Sequence, residues 1–288
     1  MPVKVLVLDT YNLLFRSYSS LPAAIVDAGE RPAHAVYGLL AAIVRLIREE
    51  KPDAILAAFD RPDAPTFRHA LYPEYQAQRG PLGGENAEDF ARQVEVALAV
   101  LPELGVATHG VSGYEADDIM GSAASRWRAE GRDVVIVSTD RDLLQLVGSQ
   151  VAVVVPGKTP LRITDATGAR DRLGVAPEYV TTYKGLAGDA SDNIPGVAGI
   201  GHKTAVSLVD TYGDLDTIYA HLDALPPRTA RALEAGREAA YLYREVATIR
   251  TDLDVPPLLP LCITETEGPR ELLERAGHPL KPRASAGA

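Results

Sequence analysis

The stretch Val3-Lys4-Val5-Leu6-Val7-Leu8-Asp9 decides the fold, because an apolar run broken only by Lys4 ends abruptly in a carboxylate. Such a run is typical of a strand buried on both faces of a parallel sheet. Ala54–Phe59 repeats the pattern and ends at Asp60. Val134–Val137 repeats it again, and Asp140 follows. We therefore expect a mostly parallel sheet with acidic side chains at the carboxyl ends of its strands, where such sheets bind ligands.

Helical patterns separate these strands and make the fold class α/β. One apolar helix face recurs at Tyr37, Leu40, Ala41, Val44 and Ile47. Two further helices are predicted over Phe90–Leu101, before Pro102, and over Ala116–Ala129. Val151–Val155 predicts a fourth strand, after which helices dominate.

Composition sets limits on the class of protein. The 288 residues carry a net charge of −10, are 46% apolar and include a single cysteine, Cys262. One cysteine excludes a disulfide framework and a cysteine-built zinc site. The N-terminal run lacks the features of a signal peptide, and no apolar stretch reaches about 18 residues. We therefore expect a cytoplasmic protein with no membrane partner.

Nine carboxylates stand at the tips of apolar segments or in loops, in five separate places. They are Asp9, Asp60, Glu115, Asp117, Asp118, Asp140, Asp142, Asp189 and Asp192. Taken singly, several fit helix caps or solvated turns. If they converge, their mutual repulsion has to be neutralised, and carboxylate oxygens suit hard divalent cations. An Asp-nucleophile phosphohydrolase is a rival interpretation, weakened because such sites usually carry a second Asp where this chain has Tyr11.

Two further segments indicate function. From Ala64 to about Glu88 the periodicity lapses for longer than an ordinary loop, which predicts a functional flap or arch. Gly199-Ile200-Gly201-His202-Lys203-Thr204-Ala205 is a tight glycine turn that opens a helix. Backbone N–H groups at such a helix start can hold a DNA phosphate, and Lys203 adds a positive charge.

Together these motifs resemble the bacterial flap endonucleases, including the 5′→3′ exonuclease domain of DNA polymerase I. The motifs, in chain order, are Leu8-Asp9, Phe59-Asp60, Thr66-Phe67-Arg68, Tyr75-x-x-x-Arg79, Gly113-Tyr114-Glu115-Ala116-Asp117-Asp118, Thr139-x-x-Asp142-Leu143-x-Gln145-Leu146, Gly188-Asp189-x-Ser191-Asp192-Asn193-Ile194-Pro195-Gly196 and the glycine turn. The resemblance covers roughly residues 3–250. It implies a PIN-like nuclease domain at 1–170, with a helical arch at about 64–95. It also implies a helix–three-turn–helix DNA-binding module at 171–262, and we expect a partly disordered extension at 263–288.

The resemblance also implies roles for single residues. The acids from Asp9 to Asp118 fall on a first metal cluster and those from Asp140 to Asp192 on a second, with two or more Mg²⁺ or Mn²⁺ ions expected. Catalytic roles are implied for Asp117, Asp118, Arg79 and Arg68. DNA-binding roles are implied for Arg16, Tyr75, Gln76, Lys184, Gly199, Gly201, Lys203 and Thr204. The glycine turn is similar to a hairpin that holds K⁺ through backbone carbonyls.

The implied activity is a structure-specific 5′ nuclease of replication and repair, with both 5′→3′ exonuclease and 5′-flap endonuclease activity. Its expected partner is flapped, nicked or branched DNA. We expect a free-standing monomer that works beside a separate DNA polymerase. Two alternatives are a PIN-type RNase and a DNA-binding protein with impaired catalysis. One departure stands out: the family usually has Lys after the arch tyrosine, and this chain has Gln76.

Overall fold

A single six-stranded sheet forms the centre of the larger domain. The computed structural model describes residues 3–80, 86–157 and 161–282. The strands are β1 (Lys4–Asp9), β2 (Ala54–Ala58), β3 (Ala107–His109), β4 (Asp133–Val137), β5 (Val151–Val155) and β6 (Leu161–Ile163). Their order is β3-β2-β1-β4-β5-β6, with every neighbouring pair parallel except β5 and β6. The predicted mostly parallel α/β fold is confirmed.

Helices cover both faces of the sheet and continue beyond it. They are α1 (Thr10–Ser20), α2 (His34–Glu50), α3 (Phe67–Leu71), α4 (Ala87–Glu103), α5 (Ala116–Ala129), α6 (Ala166–Leu173), α7 (Val180–Ala187), α8 (His202–Tyr212), α9 (Leu215–Ala220), α10 (Pro227–Ala235), α11 (Arg237–Ala247) and α12 (Pro269–Arg275). Single 3₁₀ turns lie at Asp142–Leu146, Pro177–Tyr179, Ala190–Asp192 and Leu222–Ala224. Predicted helix Ala116–Ala129 is found with the same bounds.

Strand β1 shows why the sheet is buried on both sides. Leu6 and Leu8 point into a core formed with α1, α2 and α4, whereas Val5 and Val7 point into a second core formed with α5. All four side chains are fully buried. Alternate residues of a strand face opposite sides of the sheet, so each side acquires its own apolar layer.

The C-terminal helices form a third core of their own. Leu186 on α7, Leu208 on α8, Ile218 on α9 and Leu233 on α10 pack together there. Helices α7 and α11 pack closely, since a Cβ on Gly185 would lie 2.6 Å from the carbonyl oxygen of Ala240. This module is the counterpart of the predicted helix–three-turn–helix.

The described part of the predicted arch is packed against this module. Its helix, α3, is only five residues long and is followed by turns. The Tyr75 ring is 4% exposed and packs with Ile194 and Val246 of the C-terminal half. Residues 81–85 of the arch lie outside the described residues, and α4 begins at Ala87.

The C-terminal extension is folded as far as the structure describes it, and the expected partial disorder stays a prediction. Leu272 and Leu273 on α12 are buried in the core with α2. Beyond α12 the chain pairs with the segment after α1, where Lys281 N–H donates to the Val26 carbonyl at 3.0 Å. The expected disorder from 283 onward falls outside the described residues.

Candidate metal centre

The carboxyl ends of the central strands deliver acidic side chains to one cavity of about 480 Å³. Asp9 is the last residue of β1, Asp60 follows β2 by two residues, and Asp140 follows β4 by three. Seven of the nine predicted carboxylates line this cavity: Asp9, Asp60, Glu115, Asp117, Asp140, Asp142 and Asp192. The structure therefore brings together acids that are far apart in sequence.

Asp9 begins helix α1 and is held by two hydrogen bonds. The Asn12 N–H donates to Oδ1 at 3.2 Å, and the Ser138 hydroxyl donates to Oδ2 at 2.5 Å. Burial and the nearby charges of Asp60 and Asp140 raise the pKa of Asp9 to about 7, although these hydrogen bonds oppose the shift. The Asp9 carboxylate is therefore fixed in place by neutral hydrogen-bond donors, and no positively charged side chain in the described part of the chain forms an ion pair with it.

Two more carboxylates, Asp60 after β2 and Glu115 before α5, line the cavity. Asp60 accepts a hydrogen bond from the Ala116 N–H at 2.8 Å, and burial raises its pKa. Burial also raises the pKa of Glu115 to about 7, with Arg68 opposing and Asp60 adding repulsion. A cation or a proton close to these two acids would offset the cost of burying their charge.

Asp117 has the most extreme environment of the set. Burial, followed by the charges of Asp140, Asp9 and Glu115, raises its pKa well above the usual range. The four acids Asp9, Asp60, Glu115 and Asp117, here called the first cluster, offer hard oxygen ligands under mutual repulsion. That donor set fits a divalent cation such as Mg²⁺ or Mn²⁺.

A second group of acids lies beside the first. One oxygen from each of Asp142, Asp189 and Asp192 falls within 4.8 Å of the others, a spacing that could hold a metal ion. With Asp140 we call these residues the second cluster. Asp140 Oδ1 accepts from the Asp142 N–H at 2.8 Å, which orients the turn that carries both.

Asp118 and Arg68 form a buried ion pair with each other. Asp118 is fully buried and does not line the cavity, and both of its oxygens accept from the Arg68 guanidinium at 2.7 and 2.8 Å. Arg68 is only 3% exposed. Arg68 Nη1 also lies 2.9 Å from Glu115 Oε2, so the pair adjoins the cavity through Glu115. The metal-ligand role of Asp118 and the phosphate-contact role of Arg68 stay predictions.

Lys184, predicted as a DNA contact, is paired with acidic side chains in this structure. It is 6% exposed, and its ammonium contacts the carboxylates of Asp142 and Asp189, with 2.6 Å to the Asp189 Oδ2. Burial lowers the pKa of Lys184, but these two acids outweigh it, so the net shift is upward. In this structure Lys184 belongs to the second cluster.

The segment after α3 contributes three polar side chains to the cavity wall. The Tyr75 hydroxyl donates to Glu115 Oε2 at 3.1 Å and accepts from Gln76 Nε2 at 2.8 Å. Gln76 Nε2 and Arg79 Nη2 each lie 2.9 Å from Asp192 Oδ1. Tyr75 is too buried to be a free DNA-stacking ring, whereas the Arg79 side chain is half exposed.

The other predicted DNA contacts lie outside the acidic cavity. Gly199 has φ +87°, and Gly201 precedes α8 in an extended conformation with no side-chain cap. Lys203 is exposed on the first turn of α8, beside the half-buried Thr204. Arg16 is exposed on α1 and donates to the Pro156 carbonyl at 3.2 Å.

Sequence reasoning missed two residues that position the acids. Ser138 donates to Asp9, and its Oγ also accepts from the Asp140 N–H at 2.9 Å. The Asn12 side chain donates to the Thr139 hydroxyl at 2.7 Å and so joins the ends of β1 and β4. A polar residue between a buried strand and an acid, as in Ser138-Thr139-Asp140, is the signal that predicts such a role.

Among the described residues, no helix is both long and apolar enough to cross a membrane.

Two family models match the sequence in chain order. Residues 4–174 match "5'-3' exonuclease, N-terminal resolvase-like domain", and residues 175–267 match "5'-3' exonuclease, C-terminal SAM fold".

Known proteins show the same likeness. Over 250 residues, 87% of the chain, the sequence is 38% identical to the thermostable DNA polymerase I of Thermus thermophilus. It is 34% identical over 255 residues, also 87% of the chain, to DNA polymerase I of Caldicellulosiruptor bescii. The chain spans 29% of the length of each of these relatives.

Solved structures share the fold at lower sequence identity. The bacteriophage T5 D15 flap endonuclease, in a complex with DNA and metal ions, has a TM-score of 0.70 at 21% identity and covers 96% of this chain and 100% of its own. The catalytic core of Rad2 with a DNA substrate has a TM-score of 0.58 at 14% identity, covering 96% and 89%. The chain therefore belongs to the 5'-3' exonuclease family and carries both of its domains, the resolvase-like one and the SAM-fold one, in that order.

Proposed function

We propose that this protein is a structure-specific 5′ nuclease that hydrolyses DNA phosphodiesters with bound divalent cations. The observation that carries the proposal is the convergence of seven carboxylates on one cavity at the carboxyl edge of the sheet. Membership of the 5'-3' exonuclease family supports the reaction type. The DNA- and metal-bound T5 neighbour supports the substrate class and the cofactor class.

The residues around the cavity have different roles in the proposed reaction. The first cluster would hold one divalent ion, and the second cluster would hold another. Bound divalent ions supply a nucleophilic hydroxide and stabilise charge on the leaving oxygen. Ser138 and Asn12 keep Asp9 in its place, and Ala116 does the same for Asp60. Arg79, half exposed at the cavity, is the side chain placed to grip the scissile phosphate with two-point geometry.

DNA duplex would be held by the C-terminal module. The start of α8, with Gly199, Gly201 and Lys203, offers backbone N–H groups and a positive charge to phosphate oxygens. Contacts of this kind carry no sequence information, so selectivity should follow DNA shape, with preference for flaps and nicks. Affinity should fall steeply as salt increases.

The finer parts of the proposal follow from the family. We infer Mg²⁺ or Mn²⁺ as the ions, K⁺ at the glycine turn, a cytoplasmic location and a monomer that works beside a DNA polymerase. The polymerase relatives, which contain this domain in a longer chain, support the last inference.

One experiment tests the activity against its alternatives. The protein is incubated with a 5′-flap DNA, a single-stranded RNA and a phosphomonoester, each with Mg²⁺ and with EDTA. Metal-dependent release of short 5′ products from the flap alone is expected. Activity confined to RNA or to the monoester would overturn the proposal.

A pair of variants separates catalysis from binding. Asp117→Asn should abolish flap cleavage while DNA binding stays within about threefold of wild type, because the side chain belongs to the metal cavity. Asp171→Asn, at an exposed position on α6, removes the same charge away from the cavity and should cleave like wild type. Loss of cleavage in both variants would indicate a general charge effect and contradict the assignment of Asp117.

A further inference from the structure

Lys184 lies where a second metal ion would have to bind. Its ammonium contacts Asp142 and Asp189, two of the three acids whose oxygens fall within 4.8 Å of one another. The side chain is almost fully buried on α7, so bulk water does not screen it. A permanent positive charge therefore sits among the ligand atoms of the second cluster.

The two clusters differ in how their charge is neutralised. Among the residues that the structure describes, Asp9, Asp60 and Asp117 of the first cluster make no ion pair, whereas Glu115 pairs with Arg68 at 2.9 Å. The hydrogen bonds to Asp9 and Asp60 come from neutral donors. In the second cluster Asp142 and Asp189 pair with Lys184, and Asp192 pairs with Arg79 at 2.9 Å.

We propose that Lys184 is the resident cation of the second cluster in the DNA-free protein, and that a divalent ion binds there only when the ammonium leaves. The inference rests on the proposed function, because it takes the acids to be metal ligands. Two cations on the same carboxylates repel each other, so the ammonium and a divalent ion compete for Asp142 and Asp189.

The second cluster opens onto a cavity of about 780 Å³ that is lined by Asp140, Asp142, Asp189 and Lys184. Arg141, Tyr183, Ser191 and His202 line the same cavity. This cavity holds donors that suit a phosphate oxygen. A DNA phosphate there would attract the Lys184 ammonium out of the cluster, so substrate binding and second-ion binding are coupled through one side chain.

The test counts Mn²⁺ ions bound without DNA, by electron paramagnetic resonance and calorimetry. Wild type should bind one ion, with a second ion at least tenfold weaker. Lys184→Met should raise the affinity of that second ion at least tenfold, and adding Asp142→Asn should remove the gain. Lys184→Arg keeps a cation and should resemble wild type. Lys281→Met removes an exposed lysine paired with Glu30 and is the control for lost charge.

The outcomes separate this inference from the proposed function. Two ions of equal affinity on DNA-free wild type would overturn the inference even if Lys184→Met failed to fold, and so would an unchanged Mn²⁺ titration of the folded variant. In both cases metal-dependent flap cleavage by wild type would leave the proposed function standing. Wild type that binds no Mn²⁺ and cleaves no flap would overturn both.

Discussion

Arg68 and Asp118 form a two-point ion pair in which Nη1 lies 2.7 Å from Oδ2 and Nη2 lies 2.8 Å from Oδ1. Arg68 comes from the segment that precedes the cavity wall, and Asp118 comes from the first turn of α5. Arg68 Nε also donates to the Val246 carbonyl on α11 at 2.9 Å. One guanidinium therefore links the arch segment, helix α5 and the C-terminal module.

Removing this guanidinium should destabilise the whole chain. Arg68→Met leaves Asp118 buried and without its partner, which costs about 3–5 kcal/mol in comparable buried pairs. The free energy of unfolding, measured by urea denaturation in EDTA, should fall by that amount. Arg61→Met, which removes an exposed pair with Asp63, should change it by less than about 1 kcal/mol. Equal losses in the two variants would contradict the structural role of Arg68.

Substitution by Asn at the adjacent residues Asp117 and Asp118 should change different properties: metal affinity at Asp117 and stability at Asp118. Asp118 accepts from the Arg68 guanidinium, from Glu115 N–H and from Arg250 N–H, so Asp118→Asn turns an acceptor into a donor and should cost about 2 kcal/mol or more. Asp117→Asn relieves repulsion and should not lower the free energy of unfolding in EDTA. Its Mn²⁺ affinity should instead fall at least tenfold. Calorimetry and urea denaturation on both variants check the pair, and a stability loss at Asp117 would contradict the assignment.

The sequence predicted the features that follow from local pattern. The apolar runs that end at Asp9 and near Asp60 place two acids at one edge of a parallel sheet, and that placement needs no tertiary detail. The pattern also located α5. It missed β3 and β6 because three-residue strands are too short to show a period. It also missed α1, which begins directly after the last residue of β1.

The ion-pair partners of Arg68 and Lys184 could not be predicted from the sequence, for a different reason. A basic residue near acids predicts attraction but not which charge it meets. Docking of the C-terminal module sets both contacts, since Val246 fixes Arg68 and the packing of α7 on α11 fixes the helix that carries Lys184. Distances between elements far apart in the chain decide such pairs, and no local pattern encodes them.

The metal-free protein should lose stability as pH rises. Burial raises the pKa values of Asp9 and Glu115 to about 7, and that of Asp142 to about 6, above their ordinary values of 3.8, 4.5 and 3.8. Between roughly pH 4 and 7 the folded chain therefore holds more protons than the unfolded chain, so the free energy of unfolding falls with pH. In EDTA the Tm should be lower at pH 8 than at pH 5.5. Excess Mg²⁺ should reduce this difference because the ion replaces the protons. A Tm in EDTA that rises steadily over this range would refute the prediction.

The C-terminal extension should stabilise the nuclease domain. Leu272 on α12 is fully buried in the core that α2 shares, so Leu272→Ala should lower the free energy of unfolding by about 2–5 kcal/mol. Leu98→Ala, at a position that is 41% exposed on α4, is the matched control and should cost less than about 1 kcal/mol. Thermal or urea unfolding of both variants measures the difference. Similar losses would mean that α12 is not part of the folded core.

A positive charge introduced at Gln76 should change the rate of flap cleavage. Its amide nitrogen bonds the Tyr75 hydroxyl and Asp192 Oδ1, so it reaches the cavity wall between the two clusters. In Gln76→Lys an ammonium at this place can contact the scissile phosphate, and the single-turnover rate of flap cleavage should rise. Gln78→Lys adds the same charge two residues on, where the side chain is exposed and bonds the carbonyls of Ala190 and Ser191 outside the cavity. A rate gain confined to the Gln76 variant locates the effect at the cavity. A gain of equal size in both variants would instead reflect stronger DNA attraction, and an unchanged or lower rate in Gln76→Lys would rule the idea out.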